Sequence, residues 1–299
     1  MLTLNNGLSV PPIGLGTYKI ADSDGVAAIK TAVRVGYRLF DTAFVYGNEH
    51  ILGQAFREMF AQGDIKREEL FVVSKLGPTF HRSEAVERGC RLSLERLGLD
   101  HLDLYLMHTP VAARDLGAGN DRSEIDDEVS PVETWKALEE CHRKGLVRSI
   151  GVSNFNEEQL EEIVNLGSIK PVVNQVECSI GFHQADLRRF CDKEDIKIMA
   201  YSPLGKPKFG KDHPFLQSGV LKQMSENYGR SPAQISLRYL IEIGTIPIPK
   251  SSNVDRMMEN LDVLSFKLDK GDIEKLESLV EQKRSMNLDW LKASKYYPF

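Results

Sequence analysis

Eight short apolar runs alternate with amphipathic helical stretches along nearly the whole of this 299-residue chain, and that alternation restricts what it can fold into. The runs lie near 13–16, 39–43, 71–76, 102–108, 147–153, 172–177, 197–201 and 246–249. Strands separated by single helices are joined by crossovers, which makes the pairing parallel. Eight such units favour closure into an α/β (β/α)8 TIM barrel; an open doubly wound sheet is the alternative. An opening hairpin is expected ahead of the first unit, with Asn6-Gly7 as a tight two-residue turn.

Helix signals agree with this reading. Ser130-Pro-Val-Glu133 and Ser231-Pro-Ala-Gln234 both have the form of a capping box with proline at the first helical position. Between Ser83 and Gly98 an apolar stripe of Val86, Cys90, Leu94 and Leu97 marks a core-facing side, and Gly98 stops the helix. Barrels of this kind commonly reach this length as one domain, so one unit over 1–299 is expected, with a C-terminal helix and tail over 265–299. Two connections exceed what a barrel needs. The stretch 111–129 reads as a lid or wall on the active face, its acidic charge as that of a solvated loop rather than a site; 205–215, with Lys206, Lys208 and Lys211, is placed to fold over an anion.

Composition narrows the function classes. A net charge of −5 argues against a nucleic-acid footprint. No apolar run approaches the roughly 18 residues of a spanning helix, and the start, Met1-Leu-Thr-Leu-Asn-Asn-Gly7, lacks the basic and apolar segments of a secretory signal. Cys90, Cys141, Cys178 and Cys191 are widely spaced and read as reduced, buried thiols. The expectation is a cytoplasmic protein, monomeric, without membrane or nucleic-acid partners. The histidines show no H-E-x-x-H or other close paired spacing, so no metal site is expected.

Seven of the runs end in residues able to do chemistry: Asp41, Lys75, His108, Ser153 with Asn154, Gln175, Tyr201 and Lys250. In a parallel barrel all carboxyl ends open onto one face, so these groups converge. Lys75, at the end of an apolar strand, needs a carboxylate because an unpaired buried charge is costly, and Asp41 on the neighbouring strand can supply it. A phenol beside that ammonium is expected to have its pKa lowered toward working pH, which makes Tyr46 a candidate proton donor. His108 is placed to hydrogen-bond a carbonyl oxygen held beside Tyr46. Taken singly, Tyr46 reads more often as an interface or core-edge residue and His108 as a satisfied core group; the four together are hard to obtain by accident.

These residues sit within ordered motifs: Gly14-Leu-Gly-Thr17, the block Gly36-Tyr-Arg-Leu-Phe-Asp41 through Tyr46-Gly-Asn-Glu49, Ser74-Lys75-Leu76, Asp103-Leu-Tyr-Leu-Met-His108, Gly151-Val-Ser-Asn-Phe155, Asn174-Gln-Val-Glu177, Ala200-Tyr-Ser-Pro-Leu-Gly205 and Ile248-Pro-Lys-Ser251 through Glu259-Asn260. The set resembles the aldo-keto reductase superfamily from about Leu4 to Leu264. The resemblance implies a catalytic tetrad of Asp41, Tyr46, Lys75 and His108, with Tyr46 as general acid. It also implies hydride transfer from a reduced nicotinamide to an aldehyde or ketone. By the same resemblance Ser153, Asn154 and Gln175 hold the carboxamide and Tyr201 stacks on the nicotinamide. Gly16, Thr17, Ser202, Leu204, Gly205, Ser252 and Asn253 extend the cofactor set.

There is no G-x-G-x-x-G turn, so a Rossmann mode is disfavoured. Lys250, Ser251 and Arg256 instead gather near the start of a helix beginning around Val254, which suits a phosphate. In the resembling family these positions hold the adenosine 2′-phosphate, with Glu259 and Asn260 on the adenine side, so NADP(H) is the expected cofactor. Tyr18 and Thr109 stand where many relatives have tryptophan, and Gly77 where some have an aromatic, which implies a less aromatic, wider pocket. Lys206, Lys208 and Asn253 depart from the family's cofactor clasp. Tyr18, Thr109 and Trp290 are the candidate substrate contacts; the tail 286–299 either caps the pocket or packs on the barrel wall. An NADP-binding regulatory or partner-binding protein with little turnover is the alternative function. A barrel lyase, isomerase or metal-dependent hydrolase is a third, less supported one.

Overall fold

The computed structural model describes residues 1–114, 124–205, 214–279 and 283–299. A two-stranded hairpin, β1 (Leu2–Thr3) and β2 (Ser9–Val10), precedes eight parallel strands. These are β3 (Leu15–Gly16), β4 (Leu39–Asp41), β5 (Phe71–Leu76), β6 (Leu104–Met107), β7 (Ile150–Ser153), β8 (Val173–Glu177), β9 (Lys197–Tyr201) and β10 (Ile246–Pro247). They lie in sequence order, and the sheet closes: the Gly14 and Gly16 amides donate to the Pro247 and Pro249 carbonyls at 3.0 and 3.1 Å, and Gly16 bridges Lys250 in parallel. The closed barrel, not the open sheet, is the fold.

Inward-facing side chains, among them Leu39, Val73, Leu106, Val173, Met199 and Ile246, fill the barrel, and Leu4 and Val10 of the hairpin join them as its floor. The hairpin turn differs from expectation. The Leu4 amide donates to the Leu8 carbonyl at 2.9 Å, so the loop is the three residues Asn5, Asn6 and Gly7, with Gly7 left-handed at φ 84°. That is the geometry in which a three-residue loop matches strand twist.

Ten helices among the described residues surround the barrel. In α3 (Ser83–Leu97) the stripe Val86, Cys90, Leu94 and Leu97 is buried and Gly98 ends the helix at φ 65°. At α8 (Pro232–Glu242) Ser231 and Gln234 make the reciprocal box. At α4 (Pro131–Arg143) Ser130 accepts the Glu133 amide at 3.1 Å, but the return bond from Glu133 is absent among the described residues. A second reciprocal box, unread in the sequence, joins Asn156 and Gln159 at the start of α5 (Glu157–Leu166). Here asparagine and glutamine perform the roles usually given to serine and glutamate.

The stretch 111–129 is pinned at its ends. Ala113 bridges Ile125, and Asp126, only 2% exposed, pairs with Arg82 at 2.6 Å; its charge is paired, contrary to a wholly solvated loop. Residues 115–123 of that stretch, and Lys206, Lys208 and Lys211 of the second, lie outside the described residues. All four cysteines are buried thiols. Among the described residues no helix is long and apolar enough to cross a membrane.

Candidate active site

Strand register assembles the reactive groups. Asp41 on β4 pairs with Val73 on β5, and Lys75 lies two residues further on the same inward face. Lys75 in turn pairs with Leu106 on β6, and His108 lies two residues beyond that. Because side chains alternate with period two, each step round the barrel keeps the reactive residue inward while climbing one pleat toward the mouth. Tyr46 arrives from a single turn, Phe44–Tyr46, stopped by Gly47 at φ 69°. On the other flank Gly16 pairs with Asp41, where a Cβ would come within 2.8 Å of the Ile248 carbonyl oxygen. Only glycine permits that approach.

Lys75 is completely buried. Its Nζ lies 2.7 and 2.8 Å from the two Asp41 carboxylate oxygens, 2.8 Å from the Thr42 carbonyl and 3.3 Å from the Tyr46 hydroxyl. An ammonium has three donors and no acceptor. Every one of these bonds therefore runs outward from Lys75, and at Tyr46 the lysine contacts the oxygen. The tyrosine's own proton is not used in this contact. His108 sets its ring edge-on to Tyr46, with centroids 5.8 Å apart, and Tyr18 stands on another side at 5.0 Å.

The expected lowering of the Tyr46 pKa is not found. Burial first, then the negative charge of Asp41, hold the phenol well above its usual value. The carboxylate that makes a buried lysine tolerable also cancels its pull on the phenol. Burial likewise draws Lys75 down from the usual lysine range, with Asp41 opposing. The site therefore keeps Tyr46 protonated, with a buried cation against its oxygen.

A cavity of about 830 Å³ runs from this group to the start of α9 (Val254–Leu261). Asp41, Tyr46 and His108 line its inner end with Tyr18 and Thr109, and Trp290 is also part of the lining; Lys75 lies behind Asp41. Gly16, Ser153, Asn154, Gln175 and Tyr201 form the middle, with Ser202, Leu204 and Gly205 beside them. Lys250, Ser251, Arg256, Glu259 and Asn260 form the far end. Thr17, Ser252 and Asn253 stand outside this lining. Thr17 is turned to the sheet, donating through its hydroxyl to the Asp41 carbonyl at 2.9 Å. Asn253 caps α9, accepting the Arg256 amide at 2.9 Å.

The middle is cross-braced. Gln175 donates to Asp41 Oδ2 at 2.7 Å, and Ser153 donates to the Gln175 carbonyl at 2.8 Å. Asn154, left-handed at φ 62°, donates to the His108 carbonyl at 3.0 Å and accepts the Tyr201 hydroxyl at 2.8 Å. Asparagine is among the few residues that tolerate this backbone conformation. At the far end, Lys250 and Arg256 are exposed, and among the described residues neither has a carboxylate within ion-pair distance. Unpaired cations at a helix start are unfavourable until an anion arrives.

Gly77 does not widen this cavity. It lies outside the lining, where a Cβ would meet the Phe44 ring at 3.0 Å. The tail does both things open to it. Met286, Leu288 and Trp290 line the cavity, while the Tyr296 carbonyl accepts from Gln159 at 2.8 Å on the outer layer. Lys19 and Asn48 are among the residues that escaped the sequence reading. Lys19 adds a cation to the cavity wall. Asn48, only 3% exposed, donates to the Thr17 carbonyl at 2.8 Å and accepts the Thr42 hydroxyl at 2.9 Å, tying the loop of Tyr18 to that of Tyr46. Among the described residues no cluster of His, Cys, Asp and Glu has the makings of a metal site.

Comparison with known proteins identifies the family. The model of the aldo/keto reductase family matches residues 12–281. Aldose reductase C of Dictyostelium discoideum is 41% identical, across 92% of this chain and 88% of its own. Aldo-keto reductase family 1 member C18 of Rattus norvegicus is 39% identical, across 100% and 97%. Among solved structures, the aldose reductase of Schistosoma japonicum superposes with a TM-score of 0.93 at 35% identity, covering 100% of this chain and 98% of that one. An aldo-keto reductase of Bombyx mori, crystallised in complex with NADP, gives 0.92 at 36%, with the same coverage. The chain belongs to the aldo/keto reductase family.

Proposed function

We propose that this protein reduces the carbonyl group of small aldehydes or ketones, with NADPH as hydride donor and Tyr46 as proton donor. The observation that carries the reading is the direction of the Lys75 hydrogen bonds: the lysine contacts the Tyr46 oxygen at 3.3 Å, which leaves the phenolic proton for a group in the cavity. The residues present fit a dinucleotide. One cavity is lined both by the proton-delivering group and by two exposed cations near a helix start, and a phosphate is the partner such an entrance lacks.

The bound cofactor would supply the hydride, the difficult part of the chemistry. This chain's residues would do the rest. Arg256 and Lys250, with Ser251, would hold the 2′-phosphate through charge-assisted bonds, and Glu259 and Asn260 would face the adenine. Ser153, Asn154 and Gln175 would orient the carboxamide, and Tyr201 would present its ring to the nicotinamide. Tyr46 and His108 would hydrogen-bond the substrate oxygen, and as negative charge grows there Tyr46 would release its proton. Lys75, already aimed at the phenol oxygen, would stabilise the resulting phenolate. That interaction strengthens as the reaction proceeds, which is what lowers a barrier. The reverse alcohol oxidation uses the same groups with the proton flow inverted.

Incubating the protein with NADPH and a panel of aldehydes that includes a nitrobenzaldehyde tests the reading. Consumption of NADPH dependent on the aldehyde is expected. Tight NADPH binding without consumption across the panel would contradict it and favour a nucleotide-binding protein with little turnover.

A further inference from the structure

The chain's C-terminal segment is fastened beside the cavity by a carboxylate that the proposed chemistry does not use. Glu177 is the last residue of β8, one pleat above Gln175 on the same inward face, and is only 2% exposed. Its two oxygens accept the Ser285 amide at 3.1 and 3.0 Å, and Oε2 accepts the Met286 amide at 2.9 Å. The Ser285 hydroxyl donates to Oε1 as well. Two successive backbone amides and a hydroxyl around one buried carboxylate form a charge-assisted set.

The residues directly after this contact reach the cavity. Met286, Leu288 and Trp290 line it, and between them Leu288 is left-handed at φ 49°. Leucine seldom adopts that conformation, so surrounding contacts must hold it. Further along, the segment is also tied by the Lys295 amide to Asp127 at 3.3 Å, by the Tyr296 carbonyl to Gln159 at 2.8 Å and by the Pro298 carbonyl to Asn156 at 3.3 Å. Glu177 is a buried anchor directly before the residues that meet the cavity.

We propose that Glu177 is a positioning residue for substrate choice, clamping Ser285 and Met286 so that Met286, Leu288 and Trp290 form a fixed apolar wall that favours carbonyl compounds with a bulky apolar group over short aliphatic ones. The proposal rests on the reductase reading. Glu177→Gln tests it, since the amide keeps the size but replaces an acceptor with a donor facing backbone N–H groups. With NADPH saturating, the KM for a bulky aromatic aldehyde should rise about tenfold, while kcat/KM for a short aliphatic aldehyde stays within about twofold. Amide hydrogen exchange at Ser285 and Met286 should accelerate while β8 stays protected. Ser285→Ala removes only the hydroxyl bond and should move selectivity the same way by about threefold. A parallel loss for both aldehydes in Glu177→Gln, or unchanged selectivity despite faster exchange, would overturn the proposal. Unchanged exchange at the two amides contradicts the clamp alone. A wild-type protein inert toward every carbonyl contradicts the reductase reading alone.

Discussion

The two ends of the cavity are built on opposite principles. At the inner end Lys75 is wholly buried and surrounded by Asp41, the Thr42 carbonyl and Tyr46. At the outer end Lys250 and Arg256 are exposed, and no carboxylate among the described residues pairs with them. The difference separates positioning from capture. A buried charge must be satisfied by the fold itself, so its geometry is set before any ligand arrives. An exposed cation has little energetic claim on the fold and is available to an incoming anion.

The sharpest way to break this contrast is to remove one cation from each end. Lys75→Met should lower folding stability by about 3–5 kcal/mol, because it strands Asp41 in the interior. Arg256→Ala should stay within about 0.5 kcal/mol of the wild type. Denaturant unfolding of the two variants measures both; equal losses would erase the distinction. Next in size is Asn48→Ala, which removes the tie between the Tyr18 and Tyr46 loops. We expect a loss of about 1–3 kcal/mol from the buried groups left unsatisfied, with a fall in kcat read from steady-state kinetics. Smaller again is the binding effect at the outer end. Arg256→Ala should weaken NADPH by about tenfold and leave NADH nearly unchanged, as measured by fluorescence titration. Added salt should narrow the gap between wild type and variant, since exposed charges are screened. Equal weakening of both cofactors would show that Arg256 does not read the 2′-phosphate.

The same contrast explains what the chain revealed before its structure was known. Asp41, Lys75 and His108 were legible because a period-two strand ending in a charged or polar residue has few readings in a parallel barrel, and β4, β5 and β6 stand side by side. Lys250 and Arg256 were legible as exposed cations beside a helix start, which is where the structure has them. Asn48 and Glu177 were not, because their meaning lies in partners remote in sequence: Thr17 for one, Ser285 and Met286 for the other. The acidity of Tyr46 was misjudged for a related reason. Counting Lys75 as a neighbour omits the burial of the phenol, which raises its pKa most, and the negative charge of Asp41, which adds to the rise. The hairpin loop turned on a single residue, since Asn5 joins Asn6 and Gly7 once Leu4 pairs with Leu8.

The central claim is that Tyr46 delivers the proton. Tyr46→Phe removes only the hydroxyl and leaves the Asp41–Lys75 pair in place, so NADPH should still bind with unchanged affinity. The decisive measurement is the rate of NADPH oxidation with a nitrobenzaldehyde in wild type and Tyr46→Phe at matched cofactor saturation. The account predicts a fall of at least about a hundredfold in kcat; equal rates in the two proteins would contradict it.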